Sequence, residues 1–368
     1  MMKKRIAVVL FNLGGPDKTE SIRPFLFNFF MDKNIIRLPL PLRFFIATLI
    51  AQRRSRREAG ESYGFLGGGS PLLVNTQTQA QALKAALLTL GDAEYEVFVC
   101  MRYWHPLSAE VVQKVQTWNP DRIVLLPLYP QYSTTTTRSS LQAWNKACAQ
   151  AGLDLPTSLI CCYPESRGFI KASADNIRRV YQQALLETKD KGIKPPRVLF
   201  SAHGLPEDII RGGDPYQAQC EQSARAMVKE LDISELDWAI CYQSRVGPKK
   251  WLSPSTGEAL VQAAKDGVPV IIYPHAFVSE HVETLVEIEV EYRHEAQHLG
   301  VPYFVRVPTV GSADSFIQDL ANTVAAHARQ SGITPYGGVR ICPLSSRQCC
   351  MAECHVNSGA LPHGQLAA

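Results

Sequence analysis

The chain has 368 residues, more than one ordinary hydrophobic core can fill, so two domains of roughly 150 residues each are expected. Its 38 Lys and Arg against 34 Asp and Glu leave a formal net charge of +4, well short of the concentrated charge that nucleic-acid binding by counterion release requires. Nucleic acid is therefore set aside as a partner.

The N-terminal MMKKRIAVVLFNLGGP has a basic start and an apolar run, but it ends in Asn12 and Gly14-Gly15-Pro16 without a small-residue cleavage site. It reads as a first strand feeding a loop rather than as a secretion signal, so a cytoplasmic setting is expected. Ten cysteines in that setting suit metal or redox chemistry better than stable disulfides.

Residues 35–57, IIRLPLPLRFFIATLIAQRRSRR, form an apolar stretch broken by Arg37 and Arg43 and closed by Arg53, Arg54, Arg56 and Arg57. The interruptions leave it unable to span a bilayer. An interfacial segment or the lip of a pocket for a carboxylate-bearing amphiphile fits it, as does a core helix with a solvated end. GFLGGGSP at 64–71 follows no strand and reads as a tight turn, a phosphate cradle or backbone lying close to a flat ligand.

Buried parallel strands are expected at RIAVVLFNLG, EVFVCMRY, RIVLLPLYP and SLICCYP. Tyr103, Trp104 and Tyr129 stand at strand ends, where they can pack in the core or face a flat ligand. The hydroxyls of YPQYSTTTTRSSL suit the cap of the next helix. A charged, Pro-ended run, ETKDKGIKPP, marks a loop, and a domain boundary is expected between 165 and 195.

The rhythm repeats with RVLFSAHG, DWAICYQS, PVIIYPHA and PYFVRVP, and four strands plus four suggest two doubly wound α/β domains. Neither half carries GxGxxG after a strand, and GxxxxGK[ST] is absent, so dinucleotide and P-loop sites lack their fingerprints. His203 closes an apolar strand at the carboxyl edge, a good place for a base or for a ligand to ferrous iron. Residues 274–292 set Glu280, Glu283, Glu287 and Glu291 at helical spacings of three and four, a column of carboxylates on one face with His281 beside it. Burying such a column raises carboxyl pKa values by up to ~3–5 units unless a cation or proton is shared, and a cation path explains it. A solvated surface helix is the plainer reading. The tail CPLSSRQCCMAEC brings Cys342, Cys349, Cys350 and Cys354 close together, as zinc or iron–sulfur ligands or by chance accumulation; the spacing fits no standard zinc finger, which favours a cluster.

Taken in order, LFNLGGP, RYWHPL, LFSAHGLP, YQSRVGPKKWLSPST and HVETLVEIEVEY closely resemble the ferrochelatase family, from about residue 10 to about residue 311. The resemblance implies insertion of ferrous iron into a porphyrin, the terminal step of haem biosynthesis. It implies two similar Rossmann-like doubly wound domains, each with a four-stranded parallel sheet, and the active site in the cleft between them. The expected division is 1–165 with an apolar lip at 35–51, 166–335, and a cysteine-bearing extension at 336–368. His203 and Glu283 match the iron-binding pair, and His281, Glu280 and Glu287 the acidic path behind it. Tyr63, Arg102, Tyr103 and Trp251 match residues lining the porphyrin, and Arg53 and Tyr129 join them as substrate-binding candidates. Leu13 is apolar as in protoporphyrin-type members, so protoporphyrin IX is the expected substrate. The 35–57 segment would meet the inner face of the membrane peripherally. Animal members carry a cluster-ligand cysteine where this chain has Thr134, so a [2Fe-2S] cluster here would follow bacterial members with a C-terminal cysteine group. Cys342, Cys349 and Cys354 are then the leading ligands, with Cys350, Cys161 or Cys162 as the fourth. A chelatase for another metal or tetrapyrrole, or a non-catalytic porphyrin or haem carrier, are the alternatives.

Overall fold

The computed structural model describes residues 3–189 and 193–352. The chain divides into two compact units, Met1–Tyr163 together with Ile317–Ala368, and Pro164–Phe316.

In the first unit the order is β1 (Arg5–Asn12), α1 (Ile22–Phe30), α2 (Leu40–Glu61), α3 (Leu72–Leu90), β2 (Glu94–Met101), α4 (Ser108–Trp118), β3 (Arg122–Pro127), α5 (Thr137–Ala151) and β4 (Thr157–Ile160). β1 is the centre. It pairs in parallel with β2 on one side and β3 on the other, with Val9 opposite Phe98 and Leu125. Helices on both faces leave Ala7, Val8, Val9 and Leu10 without solvent contact, which is why the strand reads as an unbroken apolar run.

The second unit holds α6 (Arg167–Thr188), β5 (Arg197–His203), α7 (Glu207–Arg211), α8 (Tyr216–Leu231), β6 (Trp238–Gln243), α9 (Thr256–Asp266) and β7 (Val270–Tyr273). A π-helix over Glu283–Tyr292, α10 (Arg293–Leu299) and β8 (Phe304–Arg306) complete it, and α11 (Asp314–His327) carries the chain back to the first unit. All eight expected strands form, four in each unit, and every pairing is parallel.

Two expectations change. The first sheet has five strands, ordered β2-β1-β3-β4-β9, against β6-β5-β7-β8 in the second. The added β9 (Gly332–Thr334) pairs with β4 through Leu159 and Ile333, so the residues from 317 to 335 cluster with the first unit and not with the second. Of its three half-buried residues only Ile333 is a large hydrophobe, too little to read as a buried strand.

α2 takes the 35–57 stretch from Leu40 onward into one helix, whose Leu40, Leu42, Phe44 and Phe45 are exposed. No helix among the described residues is long and apolar enough to cross a membrane. Nearby, Asp32 is buried and organises the carboxyl end of β2. Its Oδ2 accepts from the Tyr103 hydroxyl at 2.7 Å and from Ser139, and lies 3.1 Å from Arg102 Nη2. Burial pushes its pKa up, but Arg102, Ser139 and the Asn34 amide outweigh that and hold the carboxyl below its ordinary range.

Replacing Asp32 by Ala strands the partly buried Arg102 guanidinium, and we expect a loss of roughly 3 kcal/mol in urea unfolding at neutral pH. Because the folded pKa is lowered, the stabilisation is full above the ordinary carboxylate pKa and is lost as pH falls through the folded value. The difference between variant and parent should therefore narrow only in acid.

Candidate active site at the edge of the second sheet

In the second sheet the chain steps from β5 outward to β6 and then returns to β7 on the other side of β5. The carboxyl ends of β5 and β7 thus flank a topological switch point, where loops diverge and leave a crevice. His203 is the last residue of β5. A Cβ on the next residue, Gly204, would stand 2.9 Å from the Gln243 carbonyl oxygen and 3.3 Å from Trp251, so only glycine lets the chain turn this closely. The turn brings the Gly204 carbonyl 2.6 Å from His203 Nδ1. That carbonyl can only accept, which assigns the proton to Nδ1 and leaves the Nε2 lone pair 3.8 Å from Glu283 Oε1.

Glu283 opens the π-helix that follows β7. Its Oε2 lies 3.3 Å from Nε2 of the buried His281, whose Nδ1 faces the Ser279 carbonyl at 3.2 Å. Both imidazoles thereby face one carboxylate. Two imidazoles and a carboxylate gathered in this way suit a proton or a cation.

Glu287 sits four residues on. Its Oε1 accepts from the Ser244 amide at 2.8 Å and the Tyr292 hydroxyl at 3.2 Å, and its Oε2 from the Ser244 hydroxyl at 2.5 Å and Gln243 at 3.1 Å. Burial and then the charge of Glu283 nevertheless raise its pKa above the ordinary value, against the pull of Ser244, His203 and Gln243.

The expected single column is not what forms. The segment Glu283–Tyr292 is wound i→i+5, and its carboxylates part in burial and in partners. Thr284, Val286 and Ile288 are buried, while Glu291 is exposed. Glu280 precedes the helix and turns to Arg306 Nη1 at 2.9 Å and the Thr309 amide at 2.8 Å. Burial pushes Glu280 up, but Arg306, Thr284 and Thr309 together hold it below its ordinary value. Glu283 and Glu287 are what remains of the column at the crevice.

Within the first unit, the carboxyl ends of β1, β2 and β3 place Leu13, Arg102, Tyr103 and Tyr129. Leu13 is half-buried and its carbonyl accepts from the Tyr103 amide at 3.0 Å. Tyr103 is fully enclosed, with its hydroxyl committed to Asp32 and the Arg102 guanidinium 4.7 Å over its ring. It supports Arg102 rather than offering a free surface. Tyr129 is half-buried with its hydroxyl 3.5 Å from Ser140, Tyr63 is buried, and Arg53 is exposed on α2. In the second unit, Trp251 is half-buried beside Gly204 and donates to the Val246 carbonyl at 3.1 Å.

The sequence model of the family described as Ferrochelatase matches residues 5–328. The chain belongs to the ferrochelatase family. A protein named ferrochelatase from Wolbachia sp. subsp. Drosophila simulans (strain wRi) is 48% identical over 321 residues, covering 87% of this chain and 98% of that one. One from Caulobacter vibrioides (strain NA1000 / CB15N) is 48% identical over 324 residues, covering 88% and 90%. Among solved structures, SirB from Bacillus subtilis with Fe3+ covers 88% of this chain and 96% of its own at a TM-score of 0.50 and 12% identity, a likeness of fold.

The cysteines expected as cluster ligands meet in the first unit. Cys161 and Cys162 follow β4, and with Cys342, Cys349 and Cys350 they line one small cavity. Cys161 is joined to Cys350, and its sulfur lies 4.0 Å from that of Cys162. Hydrogen bonding with Cys342 is the largest influence on Cys349; with the Met351 and Ala352 amides and Arg340 it outweighs burial and brings the thiol down to about 6. Such surroundings favour the thiolate that metal ligation requires. Among the described residues, no group of three or more His, Cys, Asp or Glu is arranged to hold a metal ion as it stands. Cys354 lies outside the described residues.

Sequence reasoning missed Ser244, Gln243, Tyr292 and Arg306, which fix the site's carboxylates. A signal existed for two of them. Gln243 and Ser244 end the apolar run DWAICYQS at the same sheet edge as His203. Ser244→Ala removes a donor to a buried carboxylate, and we expect it to cost about 1.5–3 kcal/mol in urea unfolding at neutral pH. Glu287, with its raised folded pKa, titrates above the ordinary carboxylate range, so the deficit should grow as pH rises through that folded value and shrink in acid.

Proposed function

We propose that this chain inserts ferrous iron into protoporphyrin IX to give protohaem, with release of two pyrrole protons. The observation that carries this reading is the pairing of His203 Nε2 with Glu283 Oε1 at a switch point, in a chain of the ferrochelatase family. A borderline cation suits one imidazole nitrogen and one carboxylate oxygen.

Glu287 supplies the second need, a place for a proton. Part of its raised pKa comes from the charge on Glu283. A cation at Glu283 cancels that charge and lowers the proton affinity of Glu287, and passage of the cation into the macrocycle restores it. Metal transfer and proton uptake are thus opposed in sign at neighbouring carboxylates, as metallation requires. Leu13, Arg53, Tyr63, Arg102, Tyr129 and Trp251 are assigned to the porphyrin. The exposed Leu40, Leu42, Phe44 and Phe45 of α2, together with Arg37, Arg43 and Arg53, suit peripheral contact with an anionic membrane surface that delivers a poorly soluble substrate.

The cysteine pocket has the donors for a [2Fe-2S] cluster once the bond between Cys161 and Cys350 is reduced. Cys342, Cys349 and Cys354 would hold it, with Cys350, Cys161 or Cys162 as the fourth ligand. Bound there, the cluster supplies an iron–thiolate cross-link between the tail and the end of β4.

Under anaerobic incubation with ferrous iron and protoporphyrin IX, the visible bands of the free base should convert to haem bands over many turnovers. Glu283→Gln and His203→Ala should each lose about 10²–10⁴-fold in rate, the range for removing an acid–base group, while Glu283→Gln still binds porphyrin. Undiminished turnover in either variant sinks its assigned role. Cys349→Ser should remove the cluster's visible absorption and acid-labile sulfide; unchanged absorption takes Cys349 out of the ligand set.

A further inference from the structure

The helix bearing Glu283 and Glu287 does not stop at the crevice. Tyr292 and Arg293 are both right-handed helical, so the π-helix runs directly into α10. There the sequence reads His294-Glu295-Ala296-Gln297-His298. The two imidazoles, four residues apart, have ring centroids separated by 4.1 Å and planes inclined at 62°, and both residues are exposed.

Histidines at i and i+4 on one helix face are the ligand pair of the H-E-x-x-H zinc motif, whose glutamate serves as general base. The glutamate here cannot serve that way. Glu295 Oε1 lies 2.9 Å from the point where a Cβ on Gly257 would stand, so its carboxylate is turned onto the start of α9. What remains is a chelate of two imidazoles open to solvent.

Local structure prepares that chelate. His298 Nδ1 lies 2.9 Å from the His294 carbonyl and donates to it, which leaves the Nε2 lone pair for a metal in the arrangement common to metal-ligating histidines. His298 also stands in the last turn of α10, where the helix dipole favours positive charge. Arg293 is drawn away to Glu289 at 2.5 Å and to the Phe304 carbonyl at 2.8 Å, so its charge is partly neutralised.

We propose that His294 and His298 form an outer loading site for a divalent transition cation, ferrous iron in the reaction above. Fifteen residue steps of continuous helix separate Glu283 from His298, at most roughly 23 Å. Glu291 and Glu287 lie between them. Two neutral imidazoles leave most of the cation's hydration in place, so it binds loosely enough to move on to carboxylates. The chelate stands on its own geometry, whereas its loading role rests on the function proposed above.

The test uses full-length protein without a histidine tag, Zn2+ as a redox-inert probe, and the double variant His294→Ala/His298→Ala. In equilibrium dialysis the parent should retain about one more equivalent of Zn2+ per chain than the variant, the other metal-binding groups being common to both. Equal retention overturns the site. In steady-state metallation the KM for ferrous iron should rise severalfold in the variant while the KM for protoporphyrin does not move. A retained Zn2+ difference with an unchanged iron KM overturns the loading role. Failure of the parent itself to metallate overturns the chelatase reading, and the dialysis result still decides the site.

Discussion

Two carboxylates one helical turn apart, Glu283 and Glu287, cannot both be charged and buried without help, and the second unit is organised around that cost. Glu287 receives an amide, two hydroxyls and a side-chain amide from Ser244, Tyr292 and Gln243, yet burial and its neighbour still raise its pKa. Glu280 has Arg306 and is lowered. Glu283 turns its carboxylate to the imidazoles of His203 and His281. The Glu280 end is thus partnered by a fixed guanidinium and the Glu283 end by imidazoles. Imidazole and carboxylate together suit a borderline cation that arrives and departs.

Much of this arrangement was legible in the sequence, for physical reasons that can be named. A strand buried on both faces must be apolar throughout, so β1 to β8 announced themselves, and a histidine closing such a run must lie at the sheet's carboxyl edge. The resemblance to ferrochelatases added the pairing of His203 with Glu283, which spacing alone could not supply. Three features were hidden. β9, Gly-Ile-Thr, has a single large hydrophobe, Ile333, too little to read as a buried strand. The π-helix differs from an α-helix only in which carbonyl each amide chooses, which composition does not display. The partners of Glu280 come from residues 306 and 309, and no local pattern links positions so far apart in sequence.

The first unit answers a different constraint. Arg102 and Tyr103 both depend on Asp32, a carboxylate held below its ordinary pKa although it is enclosed, so Arg102 rests on a polar network of the same type as the one around Glu287. Its tail has little core of its own. It is secured by β9 against β4, by Cys349 and Cys350 within the hydrophobic cluster of β1 and β3, and by Arg138, which donates to the Gln348 carbonyl. Sulfur suits that task because a cysteine behaves as a small buried hydrophobe until something draws off its proton.

The winding of the second unit's long helix connects these points. Glu283 and Glu287 stand four positions apart on it, like charges that destabilise each other by a few tenths of a kcal/mol unless each has its own partners. Glu287 turns to Ser244 while Glu283 turns to the two histidines. The winding returns to ordinary α geometry at Arg293, where His294 and His298 can face each other across one turn. One helix thus passes from imidazole at its exposed end to carboxylate at its half-buried end. A hydrated cation moving along that sequence would lose water gradually as charge on the ligands increases, so the cost of stripping ferrous iron need not be met in a single step.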